Sequence, residues 1–351
     1  MLSGIGPQRD LEAAGIPCLV DSPHVGKHLK DHVQVPLFFA APGVGISLHE
    51  LGLSLGPDAL RQPAGPLPAD PRDDVNLRPD LQALKAEAVR RITEWTTTGR
   101  SLISSSLYDA AAWYSTGLGD LHSHDAQIAC FASGASPDTF RCLNIDGDRF
   151  FDDMSRRLAP DAESLILLAN PVLPHSEGEI VLESSDPLVA PAIRMNYYSD
   201  PHDLKVMVAV LGRALDIVAH WPVPGRLGPW MVPPPLAQKH GYQQGAPPSN
   251  ALLEDLALHF SITVYHLTCT CRIGSVVDPR LRVMGVSRLR VADASVMPNV
   301  VSGNTNAASI MVGEKAAEMV AADNNVQLSE FVGHSRPPNI SSVAASPGPT
   351  A

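Results

Sequence analysis

The chain has 351 residues, of which 44% are hydrophobic and 18% are charged, as in globular proteins with a substantial core. Its formal net charge is −11, and no basic patch is visible, which argues against a nucleic-acid partner because a phosphate-binding surface needs clustered cations. The sequence contains no run of about 18 apolar residues, so no membrane-spanning helix is predicted.

The first residues lack a basic start followed by an apolar stretch, so no secretory signal is predicted. The five cysteines are scattered along the chain and odd in number, which is typical of reduced thiols. They are Cys18, Cys130, Cys142, Cys269 and Cys271. We therefore expect a cytoplasmic protein.

The first half of the chain predicts a long connection, one helix and three strands. Residues 41–80 are rich in Pro, Gly and Asp and predict an irregular surface excursion or a lid. A helix is predicted from Leu81 to Gly99 because its apolar residues recur every three or four positions. Strands are predicted at residues 125–132, at 164–173 with a break at Pro171, and at 178–187.

The second half predicts three helices and two extended segments. Residues 200–221 form the clearest helical pattern, with an Asp-Pro start, and residues 251–260 predict a shorter helix. Residues 261–266 are β-branched and extended, residues 288–294 predict a strand, and a further helix begins near Ala307. The last ~25 residues predict a disordered tail. This mixture lacks the alternation of a barrel and indicates α/β (mixed α+β) structure in two lobes.

The familiar nucleotide and hydrolase motifs are missing from the sequence. Each Gly-x-Gly pair, beginning at Gly4, Gly43 and Gly117, lacks the third glycine of a dinucleotide-binding GxGxxG. The sequence contains no Walker loop, HExxH or GxSxG, so a simple NTPase or hydrolase interpretation has no support.

The stretch HLTCTC holds His266, Cys269 and Cys271, which are possible zinc ligands. The Cys-x-Cys spacing is unusual for zinc, and no fourth ligand is evident. The alternative is two small core thiols on a strand-to-loop turn, and the spacing favours it.

His266 is the strongest single candidate for chemistry, because a histidine at the end of a rigid β-branched segment accepts protons at neutral pH. Asp293 follows the predicted strand, and the Asn304–Thr305–Asn306 amides precede the last helix. Helix-start amides stabilise negative charge, so the gap between Asp293 and Asn304 suits a phosphate or a ring that becomes anionic. The alternatives are a core histidine satisfied by a carbonyl, a turn aspartate and a capping asparagine.

Three blocks of the sequence resemble the glucose–methanol–choline (GMC) oxidoreductases, which are FAD-dependent alcohol oxidases and dehydrogenases. The densest block is residues 276–320, and residues 1–32 and 178–204 resemble the family's second signature region and its substrate-domain strands. The resemblance implies a partial FAD-binding domain and a substrate-binding domain built on an antiparallel sheet with helices. It divides the chain into 1–35 (FAD domain), 36–262 (substrate domain), 263–322 (FAD domain with catalytic residues) and 323–351 (tail).

The resemblance also implies roles for six residues. His266 takes the hydroxyl proton of a small-molecule alcohol while hydride passes to FAD, and Asn304 hydrogen-bonds the alcohol oxygen. Asp293 and Ala294 touch the FAD chain, the Asn304 and Thr305 amides approach the flavin pyrimidine carbonyl, and Tyr265 lies beside the ring. The electron acceptor is oxygen or a quinone.

The sequence departs from the family pattern in three places. The family's GxGxxG segment is missing, so we expect a truncated or partial form whose FAD-domain half is supplied by a longer product or a separate chain. The alternative is a non-catalytic relative that does not bind FAD by itself. Cys269 replaces a usual glycine, and His28 stands where the family prefers asparagine. Without the missing half, we expect an exposed edge and an uncovered apolar face near Val291.

Overall fold

The computed structural model describes residues 1–41, 89–90, 92–99, 108–119, 123–131, 164–220 and 227–326. Most of the connection predicted at 41–80 and residues 327–351 of the predicted tail lie outside these ranges. Residues 89–90 and 92–98 are helical, and the Gly99 N–H donates to the Trp95 carbonyl at 2.8 Å. The end of the first predicted helix is therefore confirmed.

The amino-terminal segment contains two short parallel strands joined through one helix. These are β1 (Ile5–Gly6), α1 (Gln8–Ala13) and β2 (Val20–Asp21). Lys27 ties this segment to the rest of the protein, because its ammonium contacts both Asp10 and Glu179 at 2.8 Å. Residues 1–32 are thus anchored against the body of the chain.

An antiparallel sheet of five strands forms the centre of the described structure. The strands are β3 (Val33–Ala40), β4 (Tyr108–Tyr114), β5 (Ala126–Phe131), β6 (Ser164–Pro171) and β9 (Ile262–Thr263). They lie in the order β4-β5-β6-β3-β9. A separate hairpin pairs β7 (Glu179–Val181) with β8 (Ala192–Arg194). The strands predicted at 125–132 and 164–173 are confirmed, and β6 ends at Pro171 because proline has no N–H for the ladder.

Helix α2 (Pro201–Ala219) packs against β5 and β6 and forms the main core with the sheet. It begins after Asp200, whose carboxylate accepts the His202 N–H at 2.9 Å as an N-cap. The sequence places Leu204, Met207, Val208, Leu211, Leu215, Ile217 and Val218 on the apolar side, and of these only Met207 and Leu211 are fully buried while the others pack partly exposed against the core. The remaining fully buried apolar positions are Val206, Val210 and Ala214. Two further helices, α3 (Pro234–Lys239) and α4 (Asn250–Phe260), pack on each other, and α4 also contacts α2.

A second, smaller core lies between the 276–283 loops and helix α5 (Thr305–Asp323). The helix begins two residues earlier than predicted. The strand predicted at 288–294 is wrong: only an isolated bridge joins Arg282 to Arg290. The Val291 N–H donates to the Leu281 carbonyl at 3.2 Å, so its hydrogen bond is made within a compact loop rather than in a sheet. The mixed α+β fold class is nevertheless confirmed.

The uncovered apolar surface near this smaller core belongs to a helix and not to a strand edge. Ile310, Ala317 and Val320 form an exposed apolar stripe along α5, beside the buried Val312 and Ala316. Ile310 keeps 58% of its surface exposed and Val320 keeps 42%. Contiguous exposed apolar surface on a helix favours association.

We predict that the 351-residue chain self-associates at micromolar concentration, because burial of this stripe on α5 releases apolar surface from water. Replacing Ile310 with lysine should lower the association, measured by sedimentation velocity. The matched control is Leu258→Lys, at an exposed leucine of α4 that lies outside the stripe. A wild-type chain that is monomeric and melts in one cooperative transition would contradict the prediction.

Candidate active site

His266 lies three residues after β9, beyond a sharp change in backbone direction. Tyr265 adopts a φ of 62°, in the left-handed region that side chains other than glycine seldom occupy. This conformation ends β9 earlier than the extended segment predicted at 261–266. The His266 N–H donates to Asp31 Oδ1 at 2.8 Å, so a buried carboxylate fixes the residue where the chain turns.

A second histidine, His32, backs the imidazole of His266. Their Nδ1 atoms lie 2.9 Å apart, and their rings meet edge-on at 85°. His32 Nε2 lies 3.0 Å from the Val172 carbonyl, which only accepts, so Nε2 of His32 carries a proton and donates it there. With His32 neutral, its Nδ1 accepts the proton of His266 Nδ1. The lone pair of His266 Nε2 is then left free, and among the described residues this atom has no hydrogen-bond partner.

Both histidines are held in the neutral state by their surroundings. His32 is fully buried, and burial lowers its pKa to about 4, with a further contribution from the charge of His266 and opposition from the Val172 and Val301 carbonyls. Burial also lowers the pKa of His266, and the Asp31 carboxylate partly opposes this shift. A neutral imidazole with one free nitrogen is the form that a general base requires.

The start of α5 lies near the same pair, because the Val301 carbonyl interacts with His32. Asn304 is the N-cap residue of α5, but its side chain makes no capping bond. It is exposed and has no hydrogen-bond partner within the described ranges, whereas Thr305 is buried. His266 and Val301 both interact with His32, and no hydrogen bond joins His266 to Asn304 among the described residues.

Asp293 lies in a capping position and not at the end of a strand. Its Oδ1 accepts the Ser295 N–H at 2.8 Å and begins a single 3-10 turn, Ala294–Val296. The carbonyls of this turn accept from the loop after His266: Ser295 from the Cys271 N–H at 2.8 Å, and Val296 from the Ile273 N–H at 2.9 Å. Asp293 is exposed to solvent, so its carboxylate remains accessible for the predicted contact with the FAD chain.

Cys269 and His28, the two residues that differ from those usual in the family, both adopt a left-handed backbone conformation. Cys269 has a φ of 76° and is fully buried, and His28 has a φ of 62°. Glycine and asparagine adopt this conformation most easily, while histidine is also enriched there. His28 Nδ1 lies 2.6 Å from a Glu177 carboxylate oxygen, which holds the residue in place.

The zinc interpretation of His266, Cys269 and Cys271 gains no support in the part of the chain that the structure describes, where no group of three possible ligands comes together. Burial raises the pKa of both thiols, which disfavours the thiolate form that binds metal. Cys269 and Cys271 are small side chains of the loop that the 3-10 turn holds.

Asp31 and His32 are the site residues that sequence reasoning missed. They are adjacent to each other, yet His32 lies 234 positions from His266 along the chain. A single sequence offers one signal for them: an Asp-His pair directly before the apolar β3 strand. No spacing rule links that pair to His266.

Comparison with known proteins agrees with this architecture. The family model described as GMC oxidoreductase matches residues 174–313. An alcohol dehydrogenase (acceptor) of Pseudomonas putida is 30% identical over 332 residues, which are 91% of this chain and 48% of that protein. A choline oxidase of Arthrobacter globiformis is 30% identical over 329 residues, 91% of this chain and 45% of that protein. The crystal structure of a formate oxidase superposes with a TM-score of 0.64 at 23% identity, over 92% of this chain and 52% of that one.

The fold is that of FAD-dependent oxidoreductases. The chain belongs to the GMC oxidoreductase family and spans about half the length of the curated relatives it matches. In the described residues, no helix is long and apolar enough to cross a membrane.

FAD is the cofactor of this family, and the residues near His266 fit its ring end. Tyr265 is 65% exposed and Leu267 43%, so an aromatic and an aliphatic side chain lie open beside the candidate base. The unpaired Asn304 amide and the first-turn N–H groups of α5 offer donors to an anionic ring. The GxGxxG that would bind the diphosphate is not among these 351 residues.

Proposed function

We propose that this chain is the catalytic carboxy-terminal half of an FAD-dependent alcohol oxidoreductase. The observation that carries the proposal is the His32–His266 pair, because it leaves one histidine neutral with a free nitrogen. His266 is the general base, and Asn304 is the hydrogen-bond partner of the alcohol oxygen.

The proposed chemistry divides the oxidation between the chain and its cofactor. Bound FAD supplies the hydride acceptor. His266 Nε2 takes the proton of the substrate hydroxyl, and Asn304 Nδ2 donates to the oxygen as negative charge develops there. The carbinol carbon loses its hydride, and the C–O bond becomes a carbonyl. The positive end of α5 favours negative charge at the site.

The proposal includes residues that would hold the cofactor. Tyr265 would flank the ring, Asn304 and Thr305 would face its polar edge, and Asp293 with Ala294 would contact the FAD chain. The substrate is a small-molecule alcohol, and the acceptor of the electrons is oxygen or a quinone. We also propose a cytoplasmic location, since Cys18, Cys269 and Cys271 form no disulfide in the part of the chain that the structure describes.

In this proposal, the diphosphate is bound by residues outside these 351, in a longer protein or in a separate chain. The second candidate function is a relative that does not bind FAD and is not catalytic. It is favoured by one observation, the missing GxGxxG.

Titration of the chain with FAD separates the two functions. We expect the flavin absorbance, near about 450 nm for the chromophore, to shift on binding because the ring meets a protein environment. Asn304→Ala should reduce the shift, whereas the matched control Asn250→Ala, at an exposed asparagine on α4, should leave it unchanged. A folded chain that leaves the spectrum of excess FAD unaltered, both alone and together with the FAD-binding half, would favour the non-catalytic relative.

A further inference from the structure

We propose that Asp31 is a positioning residue for the reaction: its carboxylate fixes the backbone that carries His266 and supports the positive charge that His266 acquires with the substrate proton. This inference rests on the proposed role of His266 as general base. It concerns residues of this chain alone, so it is testable without FAD.

The Asp31 carboxylate receives three hydrogen bonds in a site where only 3% of the residue is exposed. Oδ1 accepts the His266 N–H at 2.8 Å. Oδ2 accepts the Thr263 hydroxyl at 2.5 Å and the Tyr197 hydroxyl at 2.6 Å. A buried carboxylate is stable only when such donors replace the water it has lost.

Two of these bonds control the turn that aims His266. Thr263 donates its hydroxyl proton to Asp31, and the same oxygen accepts the Tyr265 N–H at 2.8 Å. The N–H groups of Tyr265 and His266 are therefore both tied to Asp31, the first through Thr263 and the second directly. Holding Tyr265 at a φ of 62° is unfavourable, and this pair of bonds compensates for it.

The charge of Asp31 has a second consequence for the reaction. When His266 Nε2 accepts a proton, its ring becomes an imidazolium ion. Within the described ranges, the titratable groups that act on that ring are His32, which is held neutral, and Asp31, which carries the negative charge. Asp31 thus stabilises the product of proton transfer without touching the ring.

A purely structural role would need only hydrogen-bond acceptors at this position. The substitution Asp31→Asn keeps the size of the side chain and one acceptor oxygen but removes the charge. It therefore removes the charge at nearly constant volume, although the amide nitrogen can no longer accept a hydrogen bond as the replaced oxygen did. The control variant makes the same exchange. Its matched control is Asp125→Asn, since Asp125 is also buried and accepts the Thr116 N–H at 2.7 Å and the Thr116 hydroxyl at 2.5 Å, outside the site.

The test is an NMR pH titration of the His266 ring in the histidine-labelled chain without FAD, with the signal assigned from His266→Ala. We expect Asp31→Asn to lower the pKa of His266, because the negative charge that favours its protonated form is lost. Asp125→Asn should leave the titration unchanged. A folded Asp31→Asn protein with an unaltered His266 titration, or an equal shift in Asp125→Asn, would overturn the proposal.

A second variant keeps the proposal testable if Asp31→Asn does not fold. Thr263→Val removes the link between Asp31 and the Tyr265 N–H, and we expect the His266 ring signals to shift and broaden as the turn loosens. Unchanged signals in folded Thr263→Val would overturn the positioning role.

In the FAD-containing enzyme, Asp31→Asn should lower turnover by roughly 10²-fold, the usual loss when a reacting group is misplaced. Failure of the proposed function would look different: His266→Ala would leave activity intact, while the NMR effect of Asp31 on His266 would remain.

Discussion

His266→Ala is expected to lower the rate of flavin reduction by alcohol by about 10²–10⁴-fold, the usual contribution of a general base. The enzyme to use contains both this sequence and the FAD-binding half. Without the imidazole, water must accept the hydroxyl proton, and water is a far weaker base. The rate is measured by anaerobic stopped-flow mixing, which isolates reduction from the reaction with oxygen or a quinone.

The matched control is His220→Ala, because His220 is an exposed histidine at the end of α2 whose side chain contacts Asp216 of the same helix and lies outside the candidate site. Its rate should equal that of the wild type. Raising the pH should partly restore the rate of His266→Ala, since more of the substrate is then ionised without help. An unchanged rate in His266→Ala would exclude the proposed role.

Lowering the pH from 6.5 to 5 is expected to reduce the free energy of unfolding by about 2 kcal/mol through His32 alone, at about 1.4 kcal/mol for each pH unit. The pKa of His32 is about 4 in the folded protein, against the usual 6.5. Between these values the unfolded chain binds more protons than the folded chain, so stability falls as the pH falls. The loss begins below pH 6.5 and is complete below pH 4.

Urea unfolding at several pH values measures this dependence. The pKa of His266 is also lowered, so His266 adds to the loss in the same direction. The partly buried carboxylate of Glu177 has a lowered pKa too, and its contribution is lost only as the pH falls below about 4.5, outside the window.

His32→Gln is the informative variant, because glutamine offers a donor and an acceptor but does not titrate. It should flatten the dependence between pH 6.5 and 5, whatever its overall stability. A wild-type protein with no pH dependence in this window would show that His32 is protonated or solvated when folded, and the free nitrogen of His266 would then lose its explanation.

The pair of histidines connects these two predictions. His32 serves His266 only while it is neutral and donates to Val172. Protonation of the two histidines at acidic pH therefore lowers the free energy of unfolding and also removes the general base. Because burial lowers the pKa of His266 below its ordinary value, we expect the rate of flavin reduction to fall only at acidic pH, where His266 becomes protonated.

Local sequence patterns were enough to predict the helices and strands whose structure depends mainly on neighbouring residues. The helix after Asp200 carries its cap and its apolar spacing within one stretch, and β6 carries its apolar run and its ending proline. The antiparallel sheet and the family also followed from the sequence, through dense matching blocks. The strand predicted at 288–294 failed because alternation of apolar residues is satisfied equally well by a loop that folds on itself.

The sequence by itself determined that His266 follows the extended β9 segment and that helix α5 begins after Asn304. Only the tertiary structure decided that Asp31 and His32 lie against His266, that Asp293 caps a turn, and that the apolar stripe of α5 is uncovered. The physical reason is that local propensity acts over a few residues. A hydrogen bond such as that between His32 and His266 depends on how β3 and β9 pair, and pairing is fixed by the folded chain as a whole.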